Sequence, residues 1–137
     1  MKSRANSWKD FLRRIIALNG TPRGIAGGFA LGLFLSVIPT FGLGMIAALA
    51  LAPVLKLNLP ATYAGTLVVN PLTGFFFYAA DYFFGAWILG IEDPAGIPST
   101  FAEAKEFILR APLPWYLGGF VLASVLSLIA YSGIFWG

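Results

Sequence analysis

Between Ser7 and Leu18 the apolar residues Trp8, Phe11, Leu12, Ile15 and Ile16 recur at helical spacing, with Lys9, Arg13 and Arg14 largely off that stripe. The pattern predicts a basic amphipathic helix lying in a membrane interface. Asn19 and Gly20 then form a loop. Thr21 is placed as an N-cap and Pro22 at the first helical position, where its missing N–H costs nothing. The first apolar helix runs from there to about Ile38, and Pro39, Thr40, Phe41 and Gly42 interrupt it. A second apolar run reaches Leu57, with Lys56, Asn58 and Pro60 marking an interface. A third, short run from Ala61 to Val69 meets a break at Asn70, Pro71, Leu72, Thr73 and Gly74, and the stretch Phe75 to Gly90 follows. Neither of the first two runs has the roughly 20 residues that cross a bilayer upright. Interrupted helices are the expectation.

From Ile91 to Pro114 the character changes. Glu92, Asp93, Pro94, Gly96 and Pro98 form a polar loop, and Thr100 with Glu103 makes a capping box opening a short amphipathic helix. Phe101, Ala104, Ile108 and Phe107 are expected to face the bilayer surface, and Pro112 and Pro114 to end the helix. The apolar segment that starts at Trp115 and Tyr116 and ends at Trp136 is long enough to span, with aromatic residues at both ends.

The predicted fold class is therefore an all-α integral membrane protein. Its single membrane domain divides into an interfacial amphipathic helix (1–20), a core of paired broken helices (22–90), a polar loop with a second amphipathic helix (91–112) and a transmembrane helix (113–136). The two Pro/Gly breaks read as re-entrant hairpins.

Composition agrees. Of 137 residues, 58% are hydrophobic and only 11% charged, against about a quarter charged in soluble domains. A soluble domain, a disordered tail, a nucleic-acid module and a disulfide scaffold are thereby excluded. The chain has neither cysteine nor histidine, so it offers no thiolate, no imidazole base and no such metal ligand. No enzyme, metal or cofactor is expected. Formal net charge is +3, with Lys2, Arg4, Lys9, Arg13, Arg14 and Arg23 all ahead of the first long apolar run, which places the N-terminus in the cytoplasm. Ser36, Val37 and Ile38 offer no small-x-small cleavage site, so the N-terminal segment is read as mature protein. If both breaks are hairpin tips, every basic residue lies inside and the C-terminus outside. If Ala61 to Gly90 instead crosses once, Lys105 and Arg110 lie outside and the C-terminus inside. The charge rule favours the first arrangement.

Sliding the chain along itself aligns Pro39 with Pro71, Gly42 with Gly74, Leu35 with Leu67 and Val37 with Val69, a weak internal repeat of helix, break, helix. Transporters use such units to place loosened backbone groups at membrane depth. The chain also resembles the bacterial membrane family called domain of unknown function 2062. The matching residues are Thr21-Pro22 followed by Ile25, Ala26, Gly28, Phe29, Ala30, Gly32 and Phe34; Pro39 with Gly42; Lys56-x-Asn58; Thr66; Asn70-Pro71-x-Thr73; and Tyr78, Tyr82 and Gly85. The likeness covers about residues 12 to 90. Where family members usually carry a further proline, this chain has Phe75, Phe76 and Phe77. The resemblance implies a small bacterial inner-membrane protein, sometimes joined to glycosyltransferase domains, without an established activity.

Gly24, Gly28, Gly32 and Ser36 recur every fourth residue, a small-residue face for close helix packing within the chain or between copies. Gly44, Ala48 and Ala52 offer a second such face, and Gly119, Ala123 and Ser127 a third. Thr62, Thr66 and Asn70, extended by Thr73, share one helical face. With the backbone freed at Pro39 and Pro71, they either line a polar path or cap broken helix ends. Asp81, with Tyr78 and Tyr82 at helical spacing, must face protein or water. It either binds a cation or proton or is a neutral structural acid. Lys56 reads as an interfacial anchor.

Two function classes result. One is a small transporter or channel-like protein with its path at the broken helices and a small ion, solute or lipid as substrate, forming a homo-oligomer because few short helices leave little room for a private pore. The other is a non-catalytic lipid-handling or scaffold protein that supports membrane-linked glycan or lipid assembly through its basic helix. A membrane enzyme would need Asp81 and a tyrosine to act without His or Cys.

Overall fold

The computed structural model describes residues 4–40, 42–70, 72–91, 101–110 and 112–137. Phe41, Pro71, the polar stretch 92–100 and the side chains of Ile15, Ile16, Phe101, Ala104 and Phe107 lie outside the described set, and so does the Thr100 half of the capping box. The described residues form seven helices and no strand: α1 (Arg4–Ala17), α2 (Pro22–Val37), α3 (Leu43–Val54), α4 (Leu59–Thr66), α5 (Gly74–Leu89), α6 (Phe101–Arg110) and α7 (Pro112–Trp136).

Local chemistry sets the boundaries. The Thr21 hydroxyl accepts from Gly24 N at 3.0 Å and Pro22 opens α2. At the other end Ile38, which precedes Pro39, is extended (φ −63°, ψ 134°), as the proline ring demands of its predecessor. The α3 terminus closes with Lys56 in the left-handed region (φ 59°): Lys56 N donates to Pro53 O at 3.2 Å and Leu57 N to Ala52 O at 2.8 Å, the paired bonds of a Schellman stop. Gly90 (φ 73°) ends α5 in the same way, with Ile91 N donating to Ala86 O at 2.9 Å. Lys56→Gly removes the steric cost of that φ and is expected to raise stability by up to about 1 kcal/mol in a thermal melt. α6 ends at Arg110, ahead of the tandem prolines, and Pro112 and Pro114 lie in the first turn of α7, where the orphan N–H positions tolerate them.

Glycine contacts fix the direction of each helix. Gly28 lies against Asn58 and Thr62, Gly32 against Thr62 and Thr66, and Gly65 against Phe29 and Leu33. These contacts advance together, so α2 and α4 are parallel. Ser127 Oγ donates to Ala30 O at 3.1 Å, and Phe34 meets Phe120 edge-on at 5.7 Å. The register runs oppositely there, so α7 is antiparallel to α2. Gly85 abuts Pro114 and Gly118 abuts Asp81, which makes α5 antiparallel to α7 as well.

The two breaks consequently differ. α3 packs back along α2, a hairpin with its tip at Pro39–Gly42, whereas α4 and α5 run the same way and share no contact among the described residues. The second break joins two segments of one run and is not a hairpin tip. A 16-residue helix such as α2 or α5 is about 24 Å long, short of the ~30 Å hydrocarbon layer. Among the described residues only α7, with 25 residues, is long and apolar enough by itself to cross a membrane.

Two apolar clusters hold the helices together. Leu33 and Val37 of α2 meet Ala123 of α7, flanked by Phe29, Phe34 and Phe77. Tyr82 and Ala86 of α5 meet Trp115 of α7 and Ile108 of α6. Ile108, expected at the bilayer surface, is buried in that second cluster beside Trp115. Large apolar side chains elsewhere are exposed, among them Ile46, Val54, Phe76, Trp87, Leu128 and Trp136, a surface that calls for an apolar partner or solvent.

Candidate functional site

The polar residues singled out by the sequence fall into three separate places. The first is the α2–α4 seam. Thr62 and Thr66 are fully buried there under the glycines of α2. Their hydroxyls turn back on their own helix, Thr62 Oγ1 donating to Asn58 O at 2.8 Å and Thr66 Oγ1 to Tyr63 O at 2.6 Å. Asn58 caps α4 by accepting from Ala61 N at 2.9 Å and holds the end of α1 by donating to Leu18 O at 3.2 Å. Gly28 and Gly32 are occupied by this seam, Gly24 lies against the Asn19 backbone, and Ser36 is buried on the same helix.

The second place is the α4–α5 break. Asn70 Oδ1 accepts from Leu72 N at 2.8 Å and Thr73 N at 3.2 Å, while Asn70 Nδ2 donates to Leu67 O at 2.9 Å. Thr73 Oγ1 accepts from Asn70 N at 3.0 Å and donates to Val68 O at 2.6 Å. The turn satisfies its own loosened backbone. Asn70→Ala removes three of these bonds and is expected to lower stability by about 1–3 kcal/mol, read by thermal unfolding in detergent.

Thr40 repeats the device at the first break. Its Oγ1 donates to Leu35 O at 3.3 Å and accepts from Gly44 N at 3.0 Å, while Gly42 adopts φ 91° before α3. At both breaks a threonine hydroxyl reaches the carbonyl five residues earlier. Sequence reasoning passed over Thr40, because the alignment of prolines puts it one place out of step with Thr73.

The third place is different in kind. Asp81 is 0% exposed, and among the described residues neither carboxyl oxygen has a hydrogen-bond partner. Its backbone packs against Gly118, and its carboxyl lies over Gly119: a Cβ built there would be 3.4 Å from Asp81 Cγ and Oδ2 and 3.0 Å from Pro39 Cδ. Pro39 is itself fully buried. The tip of the α2–α3 hairpin, the body of α5 and the glycine pair of α7 therefore close around one carboxyl group. Tyr82, one residue on, is buried with its ring 5.3 Å from that of Trp115, and Tyr78 packs on the same cluster. Gly118 carried a signal that passed unread, an adjacent glycine pair inside an otherwise apolar helix.

The cations expected at a membrane surface, Lys9, Arg13, Arg14, Arg23 and Lys56, are all exposed. They sit at the end of the bundle where α1 meets the α3–α4 turn, since Asn19 Nδ2 donates to Leu57 O at 3.4 Å. Among the described residues no group of three or more His, Cys, Asp or Glu side chains is placed to hold a metal ion.

One family model, described as "Uncharacterized protein conserved in bacteria (DUF2062)", matches residues 5–137, almost the whole chain. The chain belongs to that family. No curated protein and no solved structure matches it. As a DUF2062 protein it extends the likeness read from its motifs at residues 12–90 through α6 and α7, the helix that supplies Gly118 and Gly119 to the Asp81 pocket.

Proposed function

We propose that this DUF2062 protein is a small membrane transporter or channel-like protein with its working centre at Asp81, where the tip of a re-entrant hairpin meets two crossing helices. The observation that carries this reading is a fully enclosed carboxyl group with no hydrogen-bond partner among the described residues. Such a group costs free energy in the resting fold, and an ionisable side chain inside a membrane bundle marks a pathway or relay more often than a strut. The hydroxyls of Thr62, Thr66 and Thr73 and the amide of Asn70 are already engaged by backbone, so their role in the proposal is to hold the broken helices in shape.

In this reading the protein is multi-pass in the bacterial inner membrane with a cytoplasmic N-terminus. α2–α3 enters and returns, α4–α5 crosses once in two pieces, and α7 returns the C-terminus to the side of α1. Lys9, Arg13, Arg14, Arg23 and Lys56 then share the cytoplasmic face against Lys105 and Arg110 opposite, so the positive-inside bias is kept without two hairpins. A homo-oligomer completes the path. The natural absence of cysteine makes the test direct. A single cysteine at Asp81 is expected to react with an impermeant thiol reagent from one side, one at Arg110 from the side opposite α1, and cysteines at Thr62 and Thr66 from neither. A cysteine at Asp81 that stays unreactive from both sides in a folded protein would sink the transport reading.

A second reading has its own observation. On α1, Trp8, Phe11 and Leu12 are 61%, 52% and 39% exposed beside the exposed Lys9, Arg13 and Arg14, the surface of a helix that binds anionic headgroups. In that case the protein handles lipid or scaffolds a membrane-linked assembly. Arg13→Glu with Arg14→Glu is then expected to abolish function, whereas transport through Asp81 tolerates the pair with less than about a threefold change.

A further inference from the structure

Resting on the transport reading, and naming its substrate class, we infer that the ligand of the Asp81 pocket is a proton and not a metal ion. A hard cation stripped of water needs about six oxygen ligands. Over Gly119 this carboxyl shares its space with a carbon group, the Pro39 ring at its Cδ, and the Tyr82–Trp115 cluster follows along α5. The carbonyls of α5 and α7 are committed to helix bonds, and Leu35 O, released by Pro39, is taken by the Thr40 hydroxyl. Asp81 is the one buried acid among the described residues, so no second carboxylate completes a metal shell.

A proton asks for none of this. Transfer from hydronium to the carboxylate gives the neutral acid and one water, and the neutral acid is the form that an apolar enclosure tolerates. The titratable groups on the surrounding elements do not compete. Tyr78 and Tyr82 share its helix, α7 carries Tyr116 and Tyr131, and α6 carries Glu103, Lys105, Glu106 and Arg110, all four exposed. Arg23, the charge on α2, is exposed at the N-terminal end of that helix, about 20 Å of helix rise from Pro39.

Pro39 is fully buried, and Gly42 and Leu43, just beyond it, are exposed.

Infrared difference spectroscopy on the full chain in lipid nanodiscs tests the assignment. The expected result is a carbonyl stretch of a protonated carboxyl group in neutral buffer that shifts on transfer to deuterium oxide, is unaffected by sodium or potassium, and is missing from Asp81→Asn. Identical wild-type and Asp81→Asn spectra would overturn the proposal, and so would a carboxylate band that changes with added alkali cation. If Asp81→Asn does not fold, the deuterium and cation responses of the wild type decide alone. Flux measured on the same preparation separates the two readings. The band without flux leaves the proton site standing and removes transport; flux without the band does the reverse.

Discussion

Alanine at Gly118 is expected to drive α5 and α7 apart and unfold the upper half of the bundle. A methyl group there lands on the backbone carbonyl oxygen of Asp81 and lies 2.5 Å from Gly85 N. Neither atom belongs to a flexible side chain, so relief requires moving a whole helix. Overpacking in cores costs about 1–3 kcal/mol when side chains can yield, and here the expected loss is about 3 kcal/mol or more. It would be read as a fall in melting temperature in detergent and a red shift of the buried Trp115 emission. Gly133, on the same helix, has nothing within 4 Å of its built Cβ. Gly133→Ala should therefore stabilise by up to about 1 kcal/mol through helix propensity. Equal effects at the two positions would show that α5 and α7 do not approach as closely as described.

Asp81→Asn carries the largest functional effect. Asparagine matches the protonated acid in shape and differs in being unable to exchange a proton. Helix content and melting temperature should stay within about 1 kcal/mol of wild type, while proton uptake into proteoliposomes, followed with an internal pH-sensitive dye, falls to the level of protein-free vesicles. Removing a purely structural acid has the opposite signature, a large loss of stability with any residual flux proportional to folded protein. Gly119→Ala lies between these. Its methyl group meets Pro39 Cδ at 3.0 Å and the carboxyl at 3.4 Å, so it is expected to slow uptake about tenfold, the scale of a disturbed supporting contact, without collapse.

Much of the helical content was legible because prolines and glycines punctuate the apolar runs. Thr21-Pro22 starts α2 and Pro39 ends it, both for steric reasons that act within a few residues. Asp81 stood out because an acid inside an aromatic stretch has no inexpensive location in lipid. Direction was harder to read. Whether a break turns the chain back or lets it continue depends on which faces meet afterwards. The same small-residue spacing serves the parallel α2–α4 seam and the antiparallel α5–α7 seam. The line from Thr62 to Thr73 left a polar path and helix-end caps both open, since polar spacing is visible in a sequence, whereas a hydroxyl's choice of its own backbone carbonyl is not. Pro112 and Pro114 act in both senses, since a proline that forbids a helix interior is welcome in a helix's first turn: α6 ends before them and α7 begins with them.

The Asp81 pocket is assembled from segments that leave the ribosome at different times. The hairpin and α5 are complete well before Gly118 and Gly119 have been made, since α7 follows both in the chain. Until α7 arrives, the carboxyl lacks the wall that Gly118 and Gly119 supply and can keep its hydration, which offsets the cost of enclosing an acid. Docking of α7 then encloses it, so a probe of Asp81 hydration would double as a clock for the pairing of α5 with α7.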